Sequence, residues 1–200
     1  MRVAVCALMM TLLFCAGCGG QKIDEAEQMA LDIRSRYLSM SGCTAMLEIT
    51  ADYGDRVFEC ALELDHTAGG DTVLTVTEPE ILRGVTARLK DGNSYLEFDG
   101  LMLDTGPLSP EGYSPIDCVP FLLEQIRGGF ISRWGLETLG EQECVRFTTG
   151  DPAGQTGEGT ECELWFDKES FALMKGEIAV DGSMVLRCDV REFSWKEKEG

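Results

Sequence analysis

In a chain of 200 residues, 35 aspartates and glutamates stand against 17 lysines and arginines, giving a formal net charge of −18 at neutral pH. The basic residues are too few and too scattered to neutralise a phosphate backbone, and the field repels polyanions and anionic lipid headgroups, so no nucleic-acid partner is expected. Apolar residues make up 44% of the chain and recur throughout, which favours one folded body over a disordered stalk.

The first stretch carries one positive charge at Arg2, an apolar run from Val3 to Phe14, and the small residues Ala16 and Gly17 before Cys18. A run this short cannot span about 30 Å of hydrocarbon, so it reads as a secretory signal peptide. Cys15-Ala16-Gly17-Cys18 resembles a bacterial lipoprotein signal, although Cys stands at position 15 where Leu is usual. That resemblance implies removal of residues 1–17 and lipidation of Cys18, with diacylglycerol and palmitate as the attached groups. Residues 18–22 then form a lipidated tether, and 23–200 the folded domain.

Residues Ile23 to Tyr37 place Ala26, Met29, Ala30, Ile33 and Tyr37 at helical spacing, with Asp24, Glu25, Glu27 and Asp32 on the polar side. From Thr44 the period changes to two. TAMLEITA turns at Tyr53-Gly54-Asp55 into RVFECALEL, and short strands follow at TVLTV, VTARL, SYLEF and LML, with Asp91-Gly92-Asn93 as a hairpin turn. Ser114 and Pro115 open a second helix that Gly128-Gly129 end. Val119, Leu122, Leu123 and Ile126 form its apolar face, and Pro120 is expected to limit or kink its first turn. Strands resume at ISRWGLETL, ECVRFTT, ECELWFD, ALMKGEIAV and MVLRCDVREFSW, with a looser polar connection at GDPAGQTGEGT.

The expected fold is therefore α+β. A curved antiparallel sheet of about eleven strands, a half-open β-barrel, encloses the N-terminal and mid-chain helices. The N-terminal helix, the strand meander, the helix after Ser114-Pro115, and the closing ELWFDKESFALMKGEI and MVLRCDVREF resemble the LolA/LolB superfamily. The stretch TEPEILRGVTARLKDGNSYLEFDGLMLDTGPLSPEGYSP is similar to LolA-like lipoproteins of clostridial-type bacteria and distantly to the germination lipoprotein GerS. The resemblance covers roughly Glu25 to Trp195. It implies a membrane-anchored extracytoplasmic protein that binds acyl chains or lipoproteins, or alternatively docks a cell-envelope protein. Carriers of this superfamily use an arginine near the cavity mouth, for which Arg83 and Arg133 are candidates by position.

No catalytic signature accompanies these elements. His66, the sole histidine, lies in the turn-like LDHTAGGD and is expected at the surface, and no G-x-S-x-G motif joins it. Glu59, Glu63 and Glu97 alternate with apolar residues as on the solvated face of a sheet. Cys43, Cys60, Cys118, Cys144, Cys162 and Cys188 are widely spaced without C-x-x-C, so no zinc, other metal or cofactor is expected, and free buried thiols are favoured over bridges. What remains is an apolar interior. Phe58, Leu62, Leu64, Val76, Leu96, Phe98, Leu122, Ile126, Leu164, Phe166, Ile178, Val180 and Leu186 are expected to line it, and the helices either fill it or leave room for an acyl chain.

Overall fold

The computed structural model describes residues 24–90, 92–107 and 113–197. The leader, Cys18 and the tether lie outside the described residues. Helix α1 spans Glu25–Ser39, and six strands follow: β1 Gly42–Asp52, β2 Val57–Thr67, β3 Thr72–Glu78, β4 Thr86–Lys90, β5 Asn93–Phe98 and β6 Leu101–Pro107. A 3-10 turn, Glu80–Leu82, joins β3 to β4. Helix α2, Pro115–Gly128, then leads into β7 Phe130–Leu139, β8 Gln142–Gly150, β9 Thr160–Asp167, β10 Leu173–Val180 and β11 Ser183–Trp195.

All eleven strands form one antiparallel sheet in the order β6-β5-β4-β3-β2-β1-β11-β10-β9-β8-β7. The first six step outward from β1, and the last five return inward to close on it through the β1–β11 pair. The strands that α2 connects, β6 and β7, are thus the two free edges of an unclosed sheet. Because the chain must travel from one edge to the other, α2 crosses the hollow. This curved half-barrel with two enclosed helices is the architecture expected from the sequence.

Local signals explain both helices. In α1, Ala26, Ala30, Ile33 and Tyr37 form one buried stripe. In α2, Ser114 Oγ accepts from the Asp117 amide at 3.1 Å, Pro115 occupies the first turn, and the Gly129 amide donates to Gln125 O. The helix runs on through Pro120 without interruption. Pro120 sits in the second turn, where only one intrahelical bond is forfeited.

The concave face can be followed by register. Ala45, Leu64, Leu74, Ala87, Leu96 and Leu103 are successive partners from β1 to β6. Ile49, Cys188, Gly176, Leu164, Phe147 and Trp134 are successive partners from β1 through β11 to β7. Both rows are buried at the centre and emerge at the edges, Leu103 to 64% exposed and Trp134 to 39%. Helix α2 fills the middle. A Cβ placed on Gly176 would stand 2.7 Å from Leu122 Cδ1, so Leu122 rests directly on this glycine and would have to shift for any larger residue.

One sequence expectation is overturned. His66 is not a surface turn residue; it belongs to β2 and is buried. Its polar flanks disguise a strand that continues to Thr67, because His66 pairs with Cys43 on one side and Thr72 on the other. The six described cysteines are all free, and all but Cys60 are buried.

Candidate hydrophobic binding site

Eight of the thirteen expected lining residues are consumed by the core. Leu62, Leu64, Leu122, Ile126, Leu164, Phe166, Ile178 and Leu186 are closed over by the helices. Val76 and Leu96 are half-buried at the margin of that core, and Val180 is half-buried at the end of β10. Phe58 and Phe98 reach the surface at 50% and 52% exposure, and Phe58 lies against Tyr53 with ring centroids 5.9 Å apart. The centre of the hollow is therefore packed, and among the described residues apolar surface is exposed toward both edges of the sheet and at the Tyr53–Phe58 end of the β1–β2 hairpin.

Toward the β7 edge that surface forms a groove of about 410 Å³ between α1 and the start of β7. Ala30 and Leu31 form the helix wall, and Phe130, Ile131 and Trp134 the strand wall. Leu31, Phe130 and Trp134 are 45%, 51% and 39% exposed. The volume lies within the range of small-molecule sites, and the lining is mainly apolar, as an acyl chain requires. Larger hollows of about 720, 550 and 470 Å³ exist elsewhere, but Arg36, Lys196 and Glu197 line the first, Asp167, Lys175, Asp189 and Arg191 the second, and Glu48, Glu59 and Glu78 the third, and desolvating those charges opposes an apolar guest.

Arg34 stands at the groove and holds its floor together. Its Nε donates to Ile126 O at 3.0 Å and its Nη2 to Gly129 O, so one guanidinium satisfies carbonyls at and just beyond the C-terminal turn of α2. Partial burial lowers the Arg34 pKa from its ordinary value, which leaves it fully charged at neutral pH. Glu27 is the other ionisable residue of the lining.

The two arginines suggested by position lie elsewhere. Arg83 Nε donates to Thr77 O in an exposed turn, and Arg133 sits 3.8 Å from both Glu161 and Glu163, which alternate with the inward Cys162 and Leu164 and so face outward. The groove residues were missed for a related reason. Leu31 falls outside the buried stripe of α1, and the alternation of ISRWGLETL does not say which face a helix will border. Among the described residues, no group of three or more His, Cys, Asp or Glu is placed to hold a metal ion, and no helix is long and apolar enough to cross a membrane.

No family model matches the chain, and no curated protein matches it. Solved structures do. An uncharacterized conserved protein from Thermus thermophilus aligns at 11% identity over 88% of this chain and 90% of its own, with a TM-score of 0.53. The MucA/MucB complex of Pseudomonas aeruginosa aligns at 11% identity over 88% of this chain but 59% of the matched chain, with a TM-score of 0.51. The LolA superfamily protein NE2245 from Nitrosomonas europaea aligns at 11% identity over 87% of this chain and 94% of its own, with a TM-score of 0.45. At such identities the likeness is one of fold.

Proposed function

We propose that this protein is a non-enzymatic, extracytoplasmic lipoprotein that holds an acyl chain, free or carried by another lipoprotein, in the groove between α1 and β7. The observation that carries this reading is the 410 Å³ apolar groove itself, left open beside a concave face whose centre is packed. Glu27 and Leu31 in the first two turns of α1 border the groove. Cys18 precedes Asp24 by six residues in the chain, so a protein anchored there carries the groove on the first helix after its anchor. Each buried CH2 contributes about 0.8 kcal/mol, and no matching polar group is needed.

Uptake of dansyl-labelled undecanoic acid tests the reading. The full chain is expected to bind it with a blue-shifted emission, and Leu31→Glu to weaken binding by about tenfold or more, since burial of a leucine is worth roughly 1.5 to 3 kcal/mol. Phe98→Glu, on the far arm, is the control and leaves uptake unchanged. Absence of uptake by the parent chain would sink the proposal. Anchoring is tested separately: Cys18→Ala is expected to move the protein from the membrane pellet to the soluble fraction, since several acyl chains hold firmly where one does not.

A second reading, docking of an envelope protein, is favoured by the packed centre of the hollow. A chain of similar fold is solved in a MucA/MucB complex, which is consistent with this scaffold serving protein partners.

A further inference from the structure

The sheet has a second open apolar margin, at the opposite edge from the groove. Among the described residues β6 pairs only with β5, so one side of its backbone has no strand partner. Leu101, Met102 and Leu103 are 77%, 69% and 64% exposed. Leu101 and Leu103 oppose Phe98 and Leu96 and share the concave face, whereas Met102 opposes Glu97 on the convex face. Edge strands are ordinarily blunted by charges pointing inward, by proline or by shortness. Here the run from Leu101 to Leu103 is apolar on both faces, and the first charge, Asp104, points outward beside Tyr95.

The charges around this edge state what kind of strand it suits. Glu97, Asp99 and Asp104 border β6, and none of them makes an ion pair among the described residues. The basic residues of neighbouring β4 are already engaged, Arg88 at 3.1 Å and Lys90 at 3.5 Å from Asp71. A strand laid antiparallel or parallel beside β6 sets alternate side chains next to Leu101 and Leu103 on one face, and the intervening ones next to Met102 and Asp104 on the other, with Glu97 one strand further in. We propose that β6 receives an extended segment of alternating apolar and basic residues from another protein, as a twelfth strand of the sheet. Backbone hydrogen bonds supply affinity, the two faces supply selectivity, and the acidic surface accelerates encounter. This edge is independent of the lipid groove, so either site can stand without the other.

The probe is a fluorescein-labelled hexapeptide of alternating valine and lysine, titrated into the full chain and read by anisotropy. Saturable binding is expected, about tenfold weaker or less for the alternating valine and glutamate peptide. A valine and lysine peptide N-methylated at alternate residues keeps its charge but loses its donors, and is likewise expected to bind about tenfold more weakly. On the protein, Leu103→Lys and Met102→Lys change exposed side chains on opposite faces, and each is expected to weaken binding while circular dichroism and uptake of the dansyl fatty acid stay as in the parent. No binding of the first peptide, equal binding of its N-methylated form, or equal binding to both variants would overturn the proposal. Sedimentation showing a dimer that Leu103→Lys dissociates would overturn it too, because a second copy would then occupy the edge.

Discussion

A buried imidazole that accepts a hydrogen bond from a guanidinium cannot take up a proton without setting two positive charges side by side. That is the situation of His66. Arg127 Nη2 lies 2.9 Å from its Nε2, and its Nδ1 lies 2.7 Å from Thr72 Oγ1. Arginine can only donate, so Nε2 accepts and Nδ1–H donates to the hydroxyl. Burial first, then Arg127 and Lys196, push the His66 pKa from 6.5 down to about 4, with Asp65 opposing. The unfolded chain therefore binds the proton more tightly than the folded one. Stability from this group is complete above about pH 6.5, falls as pH drops, and is fully lost below about pH 4. The loss is on the order of 3 kcal/mol at most. Urea midpoints measured from pH 7.5 to 4 are expected to decline, and His66→Gln, whose amide can still accept from Arg127, to flatten the part of the decline between pH 6.5 and 4. An identical decline in parent and variant would remove the role assigned to His66. Gly176 offers a second residue-scale test. Gly176→Ala forces its Cβ into Leu122 and is expected to destabilise the fold by about 1 to 3 kcal/mol. Leu122→Ala in the same chain should relieve part of that cost, and strict additivity in the double-mutant cycle would count against the contact.

At the scale of elements, the ends of α2 are the most legible part of the molecule and the most directly testable. Ser114, Pro115 and Gly128-Gly129 are local signals, and the helix begins and ends beside them. Ser114→Ala removes the acceptor of the Asp117 amide and is expected to cost about 1 kcal/mol, which a shift in the urea midpoint at constant slope would register. Strands were legible for the same reason, since a period of two is a property of neighbours in sequence. What a strand faces is a property of register, and that was hidden. Glu137 and Glu163 flank Arg146: its Nη1 reaches Glu163 Oε1 at 2.9 Å, and its Nε sits 2.7 Å from Glu137 Oε1 without hydrogen-bond alignment. Lys175 likewise bonds Glu177 at 2.7 Å and lies 4.8 Å over the Trp165 ring. Apart from the Lys175–Glu177 pair, which lies within β10, these contacts join β7, β8, β9 and β10, so no local pattern announces them. The groove was hidden for the same reason, because it is made by a helix and a strand about a hundred residues apart.

On the scale of the whole molecule, the half-barrel has one continuous core, and its cysteines report on how tightly that core is closed. Cys43, Cys118, Cys144, Cys162 and Cys188 are buried and Cys60 is half-buried, none of them bridged. Burial raises every one of these thiols, Cys43 to about 11 and Cys162 and Cys188 to about 12. The thiolate is the reactive form, so at pH 8 these groups are protected twice, by inaccessibility and by protonation. For Cys43, Cys118, Cys162 and Cys188 the protection depends on β1, β9, β11 and α2 remaining together, because those elements carry them into one core cluster, with Cys60 of β2 packed against it; Cys144 lies outside that cluster, beside Glu137 of β7. Modification by Ellman's reagent at pH 8 is then expected to be slow for the folded chain, with Cys60 reacting first and Cys43, Cys118, Cys162 and Cys188 following together at a rate that rises with urea in step with unfolding. In denaturant all six should react at once. Rapid reaction of two or more of the four core thiols without denaturant would mean that the hollow opens locally under α2, and would place a cargo-sized space where Leu122 packs on Gly176.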